Sequence, residues 1–276
     1  MTSDPLTTGS LGAGITLRPC VAAQVIRGRE DRVLVNSKTM THGLIETVKR
    51  ITGSDAINVE ITTPALLGEG LGFSAALSIV VASSALINTG RSATLTRAGV
   101  IAHEAEVMML TGLGDVAAEL RGGGLVVRVK PGAPGVGEVD VSPVRDSVSI
   151  VACLVRSDLT TPDMLRVHGL KIKEVGGGIF RRFIAEPSFD RFLELSHEFS
   201  RSVFITNDAD STLRSALGRY LKSGEVLTYF IKKGTLVVVT SGKPSMALLE
   251  DVGRVGIRLI GVFEPSFEGT TMVFSS

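Results

Sequence analysis

A predicted strand, a glycine-rich loop and an apolar helix follow one another over residues 58–88, and this order limits the folds open to the chain. The segment "NVEITT" alternates apolar and polar residues, which is typical of a half-buried strand. Apolar and small residues then predict a helix over Phe73–Asn88. Between the two, Gly68, Gly70 and Gly72 occupy alternate positions. A strand that turns so tightly into a buried helix predicts a mixed α and β architecture.

Strand and helix patterns continue along the whole chain and restart near residue 147. Before that point, "GAGITLRPCVAAQVIRG" and "RVLVN" predict two strands, "MTHGLIETVKRIT" predicts a helix ending at Gly53, and Thr94 or Thr96 is expected to cap another helix. After it, "VSIVACLV", "TLVVVTSG", "IRLIGVF" and "TTMVF" predict strands, and "SFDRFLELSHEFSRSVF" predicts an amphipathic helix. The chain is therefore predicted to be an α+β protein of two lobes, residues 1–146 and residues 147–276.

Composition favours a cytoplasmic protein with a small-molecule partner. The net charge is +1 and no basic cluster is interleaved with aromatic residues, which argues against a nucleic-acid partner. The longest apolar run, residues 75–87, is too short to span a bilayer, and the start "MTSDPLTTGS" lacks the features of a secretory signal. Cys20 and Cys153 are far apart and predict reduced thiols. We expect no membrane partner, and the apolar second half is compatible with a homodimer.

The glycine loop by itself has two interpretations. Backbone amides at a helix N-terminus bind phosphate oxygens, and glycine lets the backbone approach an anion closely. The segment "GEGLGFSA" is neither a Walker A loop nor the dinucleotide-binding G-x-G-x-x-G pattern, so a tight strand-to-helix turn explains it equally well. Ser74 is correspondingly either a first-turn hydroxyl or a ligand of magnesium or phosphate.

Two further glycine-rich turns, residues 9–14 and residues 111–124, favour the phosphate interpretation. The second of them contains Asp115 and follows a predicted helix that carries His103 and Glu106 on one face. An anion cradle, two carboxylates and a histidine are sufficient parts for phosphoryl transfer to a hydroxyl.

With these parts the sequence resembles the GHMP kinase superfamily, whose members share a P-x-x-x-G-x-G-x-S-A-A-type loop matched here by residues 64–76. Within it, the chain is most similar to the archaeal pantoate kinases. The matching segments are "DPLTTGSLGAGITL", "AHEAEVMMLTGLGDVAAELRGGGLVVRVKPGAPG", "FDRFLELSHEFS" and "GKPSMALL". The resemblance covers nearly the whole chain. It implies a two-lobed GHMP kinase fold with an N-terminal ribosomal-protein-S5-like lobe, which carries the phosphate loop, and a C-terminal ferredoxin-like lobe.

The resemblance also implies roles for individual residues. Asp115 would be the catalytic residue that orients or deprotonates the acceptor hydroxyl. Mg²⁺ would be held by Ser74 and Glu106, with Glu104 as the alternative to Glu106. The residues implied for ATP binding are Gly68, Gly70, Leu71, Gly72, Phe73, Ser74, Ala75 and Ala76, and those implied for pantoate binding are Ser10, His103 and Arg128.

The expected reaction is ATP- and magnesium-dependent phosphorylation of the primary hydroxyl of pantoate, giving 4-phosphopantoate for coenzyme A synthesis. Another acceptor of the superfamily, such as homoserine, shikimate or mevalonate, is the alternative within the class. A catalytically inactive nucleotide-binding regulatory subunit and a binding module without a nucleotide are the alternatives outside it. Family members usually carry a strand and turn before the Asp-Pro stretch, which here is Asp4-Pro5, so we expect either a start further upstream or the loss of that edge strand.

Overall fold

A computed structural model describes residues 4–156 and 161–273 of the chain. Its strands are β1 (Gly12–Ile15), β2 (Leu17–Arg18), β3 (Ala22–Val25), β4 (Arg32–Val35), β5 (Lys38–Thr39), β6 (Asn58–Thr62), β7 (Leu125–Lys130), β8 (Glu138–Ser142), β9 (Ser149–Leu154), β10 (Val226–Lys232), β11 (Thr235–Thr240) and β12 (Arg258–Pro265). Its helices are α1 (Gly43–Thr52), α2 (Phe73–Asn88), α3 (Leu95–Met109), α4 (Asp115–Arg121), α5 (Thr161–Ile184), α6 (Phe189–Val203), α7 (Asn207–Ser223) and α8 (Met246–Val255). None of the helices in these two ranges is both long and apolar enough to cross a bilayer.

The strands form three sheets that are mostly antiparallel. One sheet has the order β3-β6-β4-β5, with β4 and β6 parallel, and another has the order β1-β7-β8. The largest has the order β10-β11-β9-β12-β2. Strand β2, from the beginning of the chain, thus pairs with β12 near its end, with Arg18 opposite Glu264.

Helix α2 is the centre of the first core, and its bounds agree with the prediction. It begins after Gly72, whose φ of 88° turns the chain out of the loop. Helices α1, α2 and α3 pack together against β4 and β6 around a cluster that includes the fully buried Leu77 and Ala82. The serines of this apolar helix are accommodated because their hydroxyls bond one turn back, as Ser83 Oγ does to the Ile79 carbonyl at 2.7 Å.

The second half of the chain covers both faces of the five-stranded sheet. A cluster containing Ile150 and Val237 packs against α6, and another containing Val151 and Leu236 packs against α7 and α8. The first of these clusters also includes Leu125 and Val127 of β7. Because a core cluster and the β2–β12 pair both join the two halves, the predicted boundary between residues 146 and 147 stays a prediction.

The structure differs from the predicted elements in several places. Strands β5, β8 and β10 and helix α4 were not predicted. The segment "TTMVF" was predicted wrongly, because its described part, residues 270–273, forms no strand. It instead continues a tail in which the Thr270 amide donates to the carbonyl oxygen of Glu119 at 3.0 Å. The first stretch, predicted as one strand before β4, contains the three short strands β1, β2 and β3.

Candidate active site

The glycine loop presents a row of open backbone amides to the space in front of α2. Gly68, Gly70 and Gly72 all have positive φ, between 72° and 88°. Among the described residues, no hydrogen-bond acceptor is found for the amides of residues 70–74. The next amide, that of Ala75, is bonded to the Gly72 carbonyl at 2.8 Å. A concave run of free amides at the positive end of a helix dipole is an anion-binding arrangement.

Three further residues predicted to bind ATP have side chains that pack into the hydrophobic cores. Phe73 and Ala75 are buried in the first core, and Leu71 packs against the core cluster of the second half. These side chains hold the loop in place from behind. Ser74 is half-buried, and its hydroxyl lies close enough to Glu106 to lower the pKa of that carboxyl.

Glu69, which the sequence reasoning missed, anchors the loop to the second half of the chain. Its side chain is only 7% exposed and forms an ion pair with Arg258 of β12. Its Oε2 accepts the Leu66 amide at 2.8 Å, and its carbonyl oxygen accepts the Thr235 hydroxyl of β11 at 2.7 Å. These contacts set the position of the loop between the two halves.

Glu106 on α3 is the carboxylate that faces the loop. It is 1% exposed, and its Oε1 accepts the Thr111 hydroxyl at 2.7 Å. Its Oε2 is buried and has no hydrogen-bond partner among the described residues. Burial, followed by the nearby Asp115, raises the pKa of this carboxyl. Glu104 is half-buried, so Glu106 is the better candidate of the two.

The donor set fits a magnesium ion that arrives with a nucleotide. The orphan Oε2 of Glu106 and the neighbouring Ser74 hydroxyl are hard oxygen donors, which Mg²⁺ prefers. No group of three or more His, Cys, Asp or Glu residues suited to a metal is present in residues 4–156 and 161–273. This matches the usual binding of Mg²⁺ through one or two protein oxygens together with substrate phosphates.

Asp115 is the first residue of α4 and lies between two cations. Its Oδ1 is 3.8 Å from Arg128 Nη1, and its Oδ2 is 3.9 Å from Lys232 Nζ. The positive charge of Lys232, followed by that of Arg128, lowers the pKa of Asp115 despite the opposing effect of burial. The group is therefore a charged carboxylate at neutral pH.

Arg128 and Ser10 form a second polar surface, next to Asp115. Arg128 Nε donates to the Ser10 carbonyl at 3.2 Å, and its Nη2 donates to the Ser10 hydroxyl at 3.4 Å. Strand pairing places Gly12 opposite Arg128, and a Cβ at Gly12 would lie 2.7 Å from Arg128 Nη2. The guanidinium thus occupies space that a glycine leaves free.

His103, the third residue predicted to bind the acceptor, is 1% exposed. Its Nε2 lies 2.8 Å from the carbonyl oxygen of Thr8, to which it donates as the N–H tautomer. It therefore holds the segment that carries Ser10, and its direct contact with a substrate stays a prediction.

Three further ionisable side chains reach the site, and no sequence motif marks their positions. Glu119 on α4 lies against Gly72, where a Cβ would collide with its Oε1, and burial raises its pKa well above the ordinary value. Lys232 and Lys233 come from the β10–β11 hairpin. Lys233 Nζ donates to the Thr161 hydroxyl at 2.6 Å, and burial lowers its pKa.

Taken together, Asp115 lies close to Arg128, which bonds to Ser10, and to Lys232, whose backbone packs against the glycine loop. This arrangement can hold a nucleotide phosphate and a small anionic acceptor next to each other, with Asp115 at the point where they meet.

The curated proteins that are similar to this chain in sequence are pantoate kinases. A pantoate kinase from Thermococcus kodakarensis (strain KOD1) is 29% identical over 262 residues, covering 90% of this chain and 86% of the relative. A pantoate kinase from Methanospirillum hungatei JF-1 is 31% identical over 208 residues, covering 71% of this chain and 68% of the relative. No model of a protein family matches the chain.

Solved structures show the same fold. A phosphotransferase described as related to the coenzyme A biosynthesis pathway superposes with a TM-score of 0.72 at 24% identity, over 98% of this chain and 91% of that one. A putative homoserine kinase from Listeria monocytogenes superposes with a TM-score of 0.64 at 14% identity, over 98% and 97%. The chain has the two-lobed α+β fold of the GHMP kinases, and by its sequence it belongs to the pantoate kinase family.

Proposed function

We propose that this protein transfers the γ-phosphoryl group of ATP to the primary hydroxyl of pantoate, forming 4-phosphopantoate for coenzyme A synthesis. The observation that carries the proposal is the placement of Asp115 3.8 Å from Arg128, which bonds to Ser10, and 3.9 Å from Lys232, whose backbone packs against Gly70 of the glycine loop. The identity to pantoate kinases over most of the chain supports pantoate as the acceptor.

Pantoate carries a carboxylate and two hydroxyls, and the acceptor side of the site matches these groups. The Arg128 guanidinium can pair with a carboxylate through parallel N–H donors. Its side chain is only 13% exposed, so this interaction would be weakly screened by water. The Ser10 hydroxyl donates to the Leu113 carbonyl and accepts from Arg128, both at 3.4 Å, and a hydroxyl of the acceptor would replace one of these long contacts, while His103 keeps the Ser10 segment in place.

On the nucleotide side, the amides of residues 70–74 would bind the phosphates, and Ser74 and Glu106 would hold Mg²⁺. The ion, when bound, supplies positive charge to the phosphate oxygens. Asp115 has a lowered pKa and is therefore a weak base. It accepts a hydrogen bond from the acceptor hydroxyl, orients that hydroxyl towards the γ-phosphorus, and takes its proton only as the new bond to phosphorus forms.

The direct test is ADP release by the purified full-length chain with ATP, Mg²⁺ and one acceptor at a time. Pantoate, homoserine, shikimate and mevalonate form the panel, and the product is identified by phosphorus NMR. We expect turnover with pantoate at a kcat/KM at least ~10-fold above every other acceptor, a difference of about 1.4 kcal/mol in transition-state binding.

Two outcomes would contradict the proposal. Preference for another acceptor would be consistent with a kinase but would contradict pantoate as its substrate. ATP binding without turnover on any acceptor, unchanged by Asp115→Ala, would indicate a regulatory nucleotide-binding subunit instead. The exposed Asp140 on β8 provides the control, because Asp140→Ala removes a carboxylate that is not among the residues named for the site.

The cellular setting belongs to the same proposal. We place the reaction in the cytoplasm, which is supported by the two unpaired cysteines, Cys20 and Cys153. A homodimer is compatible with the exposed Val167 and Leu170 on α5.

A further inference from the structure

The hairpin of β10 and β11 brings a part of the second half of the chain into the candidate active site. Its tip packs on the glycine loop, because the Thr235 hydroxyl donates to the carbonyl of Glu69 at 2.7 Å. The backbone is equally close at Gly70, where a Cβ would lie 2.9 Å from the Lys232 carbonyl oxygen. The position of Lys232 relative to the loop is therefore set by backbone contacts.

The two carboxylate oxygens of Asp115 face two different cations, Arg128 and Lys232, which make different contacts. Arg128, near Oδ1, has its donors directed to Ser10 on the acceptor side. Lys232, near Oδ2, makes no hydrogen bond to any described residue, and its side chain is 49% exposed. At 3.9 Å from Asp115, its ammonium keeps its three donors available.

Lys233, the adjacent cation, already forms a hydrogen bond within the protein. Its ammonium donates to Thr161 at 2.6 Å, and Thr161 donates to the carbonyl of Thr111 at 3.1 Å. The Thr111 hydroxyl in turn donates to Glu106. Lys233 thus belongs to a chain of hydrogen bonds that orients Glu106, whereas the ammonium of Lys232 makes no hydrogen bond to a described residue.

We propose that Lys232 is a catalytic residue that donates to the oxygens of the γ-phosphoryl group during its transfer. In this step the acceptor hydroxyl oxygen forms a bond to the γ-phosphorus, and the bond from that phosphorus to the β–γ bridging oxygen breaks. The bridging oxygen keeps the electron pair and leaves with ADP, and the hydroxyl proton passes to Asp115 and then to water. A lysine ammonium is a compact charge suited to this anionic transition state.

A purely structural role for Lys232 makes a different prediction. An ion pair at 3.9 Å with a half-exposed partner contributes little to stability. Loss of that contact would leave both nucleotide affinity and turnover nearly unchanged. The catalytic role and the structural role of Lys232 are therefore separable by measuring kcat and by comparing the affinities for ATP and ADP.

The experiment compares wild type, Lys232→Met, Lys232→Arg and the control Lys243→Met, which removes an exposed lysine beyond β11. Calorimetry measures binding of ATP and of ADP with Mg²⁺ and no acceptor, and steady-state kinetics measure kcat with pantoate. We expect Lys232→Met to lower kcat about 10²–10³-fold. It should also weaken the binding of ATP more than the binding of ADP, because only ATP has the γ-phosphate. Lys232→Arg should recover part of the loss, and all variants should unfold at the wild-type temperature.

A kcat of Lys232→Met close to wild type, or equal losses for ATP and ADP, would overturn the inference. The inference rests on the proposed function, but the two fail in different ways. If wild type phosphorylates none of the acceptors, the proposed function fails, and the ratio of ATP to ADP affinity still tests whether Lys232 reaches the γ-phosphate.

Discussion

Arg258 of β12 forms an ion pair with the buried Glu69 of the glycine loop, although the two residues are 189 positions apart in sequence. The exposed fraction of the two side chains differs greatly, at 47% for Arg258 and 7% for Glu69. The glycine loop is thus held by a cation from the far end of the chain, and its geometry depends on the packing of the two halves.

Arg258→Met should therefore weaken both stability and nucleotide binding. It leaves the Glu69 carboxylate buried without its cation, which we expect to lower the free energy of unfolding by about 1–3 kcal/mol. The KM for ATP should rise more than the KM for pantoate. Thermal unfolding and steady-state kinetics check both expectations. Arg18→Met is the control, since it breaks the Arg18–Glu264 pair, in which both side chains are more than half exposed. Equal effects of the two substitutions would contradict the anchoring role of Glu69.

Gly12→Ala should damage the acceptor side selectively. The new Cβ would meet Arg128 Nη2 at 2.7 Å and push the guanidinium away from Ser10. We expect the KM for pantoate to rise by ~10-fold or more, equivalent to about 1.4 kcal/mol, with little change in ATP binding. Gly14→Ala on the same strand is the matched control, because a Cβ there meets no atom within 4 Å. A similar KM for the two variants would argue against Arg128 as the carboxylate ligand.

Asp115→Asn should separate catalysis from nucleotide binding. The amide keeps the size of the side chain but removes the charge that accepts the hydroxyl proton, so kcat should fall by about 10²–10⁴-fold. Binding of ATP should stay the same or become tighter, because a negative charge near the phosphates is lost. Calorimetry with ATP and kinetics with pantoate measure the two quantities, and Asp140→Asn is the surface control. A kcat near that of wild type would show that Asp115 takes no part in catalysis.

Glu119→Gln should change how the stability of the nucleotide-free protein depends on pH. Burial raises the pKa of Glu119 well above its ordinary 4.5, so the fold favours the neutral carboxyl. The stability that this group contributes is present below the ordinary pKa and is lost as the pH rises through the raised pKa. Glutamine stays neutral, so the variant should unfold a few degrees above wild type near pH 8, since ~1 kcal/mol corresponds to about 2–4 °C in chains of some 200 residues.

The same measurement near the ordinary pKa should show little difference between the two proteins, because Glu119 is then neutral in both states. Glu138→Gln on β8 serves as the control, with a side chain that is 65% exposed. Parallel pH profiles for wild type and Glu119→Gln would show that the Glu119 carboxyl ionises without strain beside Gly72.

Local features of the sequence were sufficient to predict the elements whose ends depend on neighbouring residues. Helix α2 runs over the predicted residues, α1 ends at Gly53 with φ 67°, and Thr94 rather than Thr96 caps α3 by accepting the Arg97 amide. Each of these signals acts within one helical turn. Helix α4 escaped prediction because its seven residues are too few for a periodic pattern.

By itself, the sequence predicted the glycine loop and the helix that follows it, since these depend on short-range backbone chemistry, and its resemblance to a kinase family singled out Ser74, Glu106 and Asp115, whose roles stay predictions. Only the tertiary structure decided which charges surround them. Lys232, Glu69 and Glu119 have no spacing that marks them, and they reach the site because strand pairing and core packing bring distant segments together. Electrostatic interactions act over a few ångströms of space regardless of sequence separation, so the charge balance at Asp115 is a property of the fold.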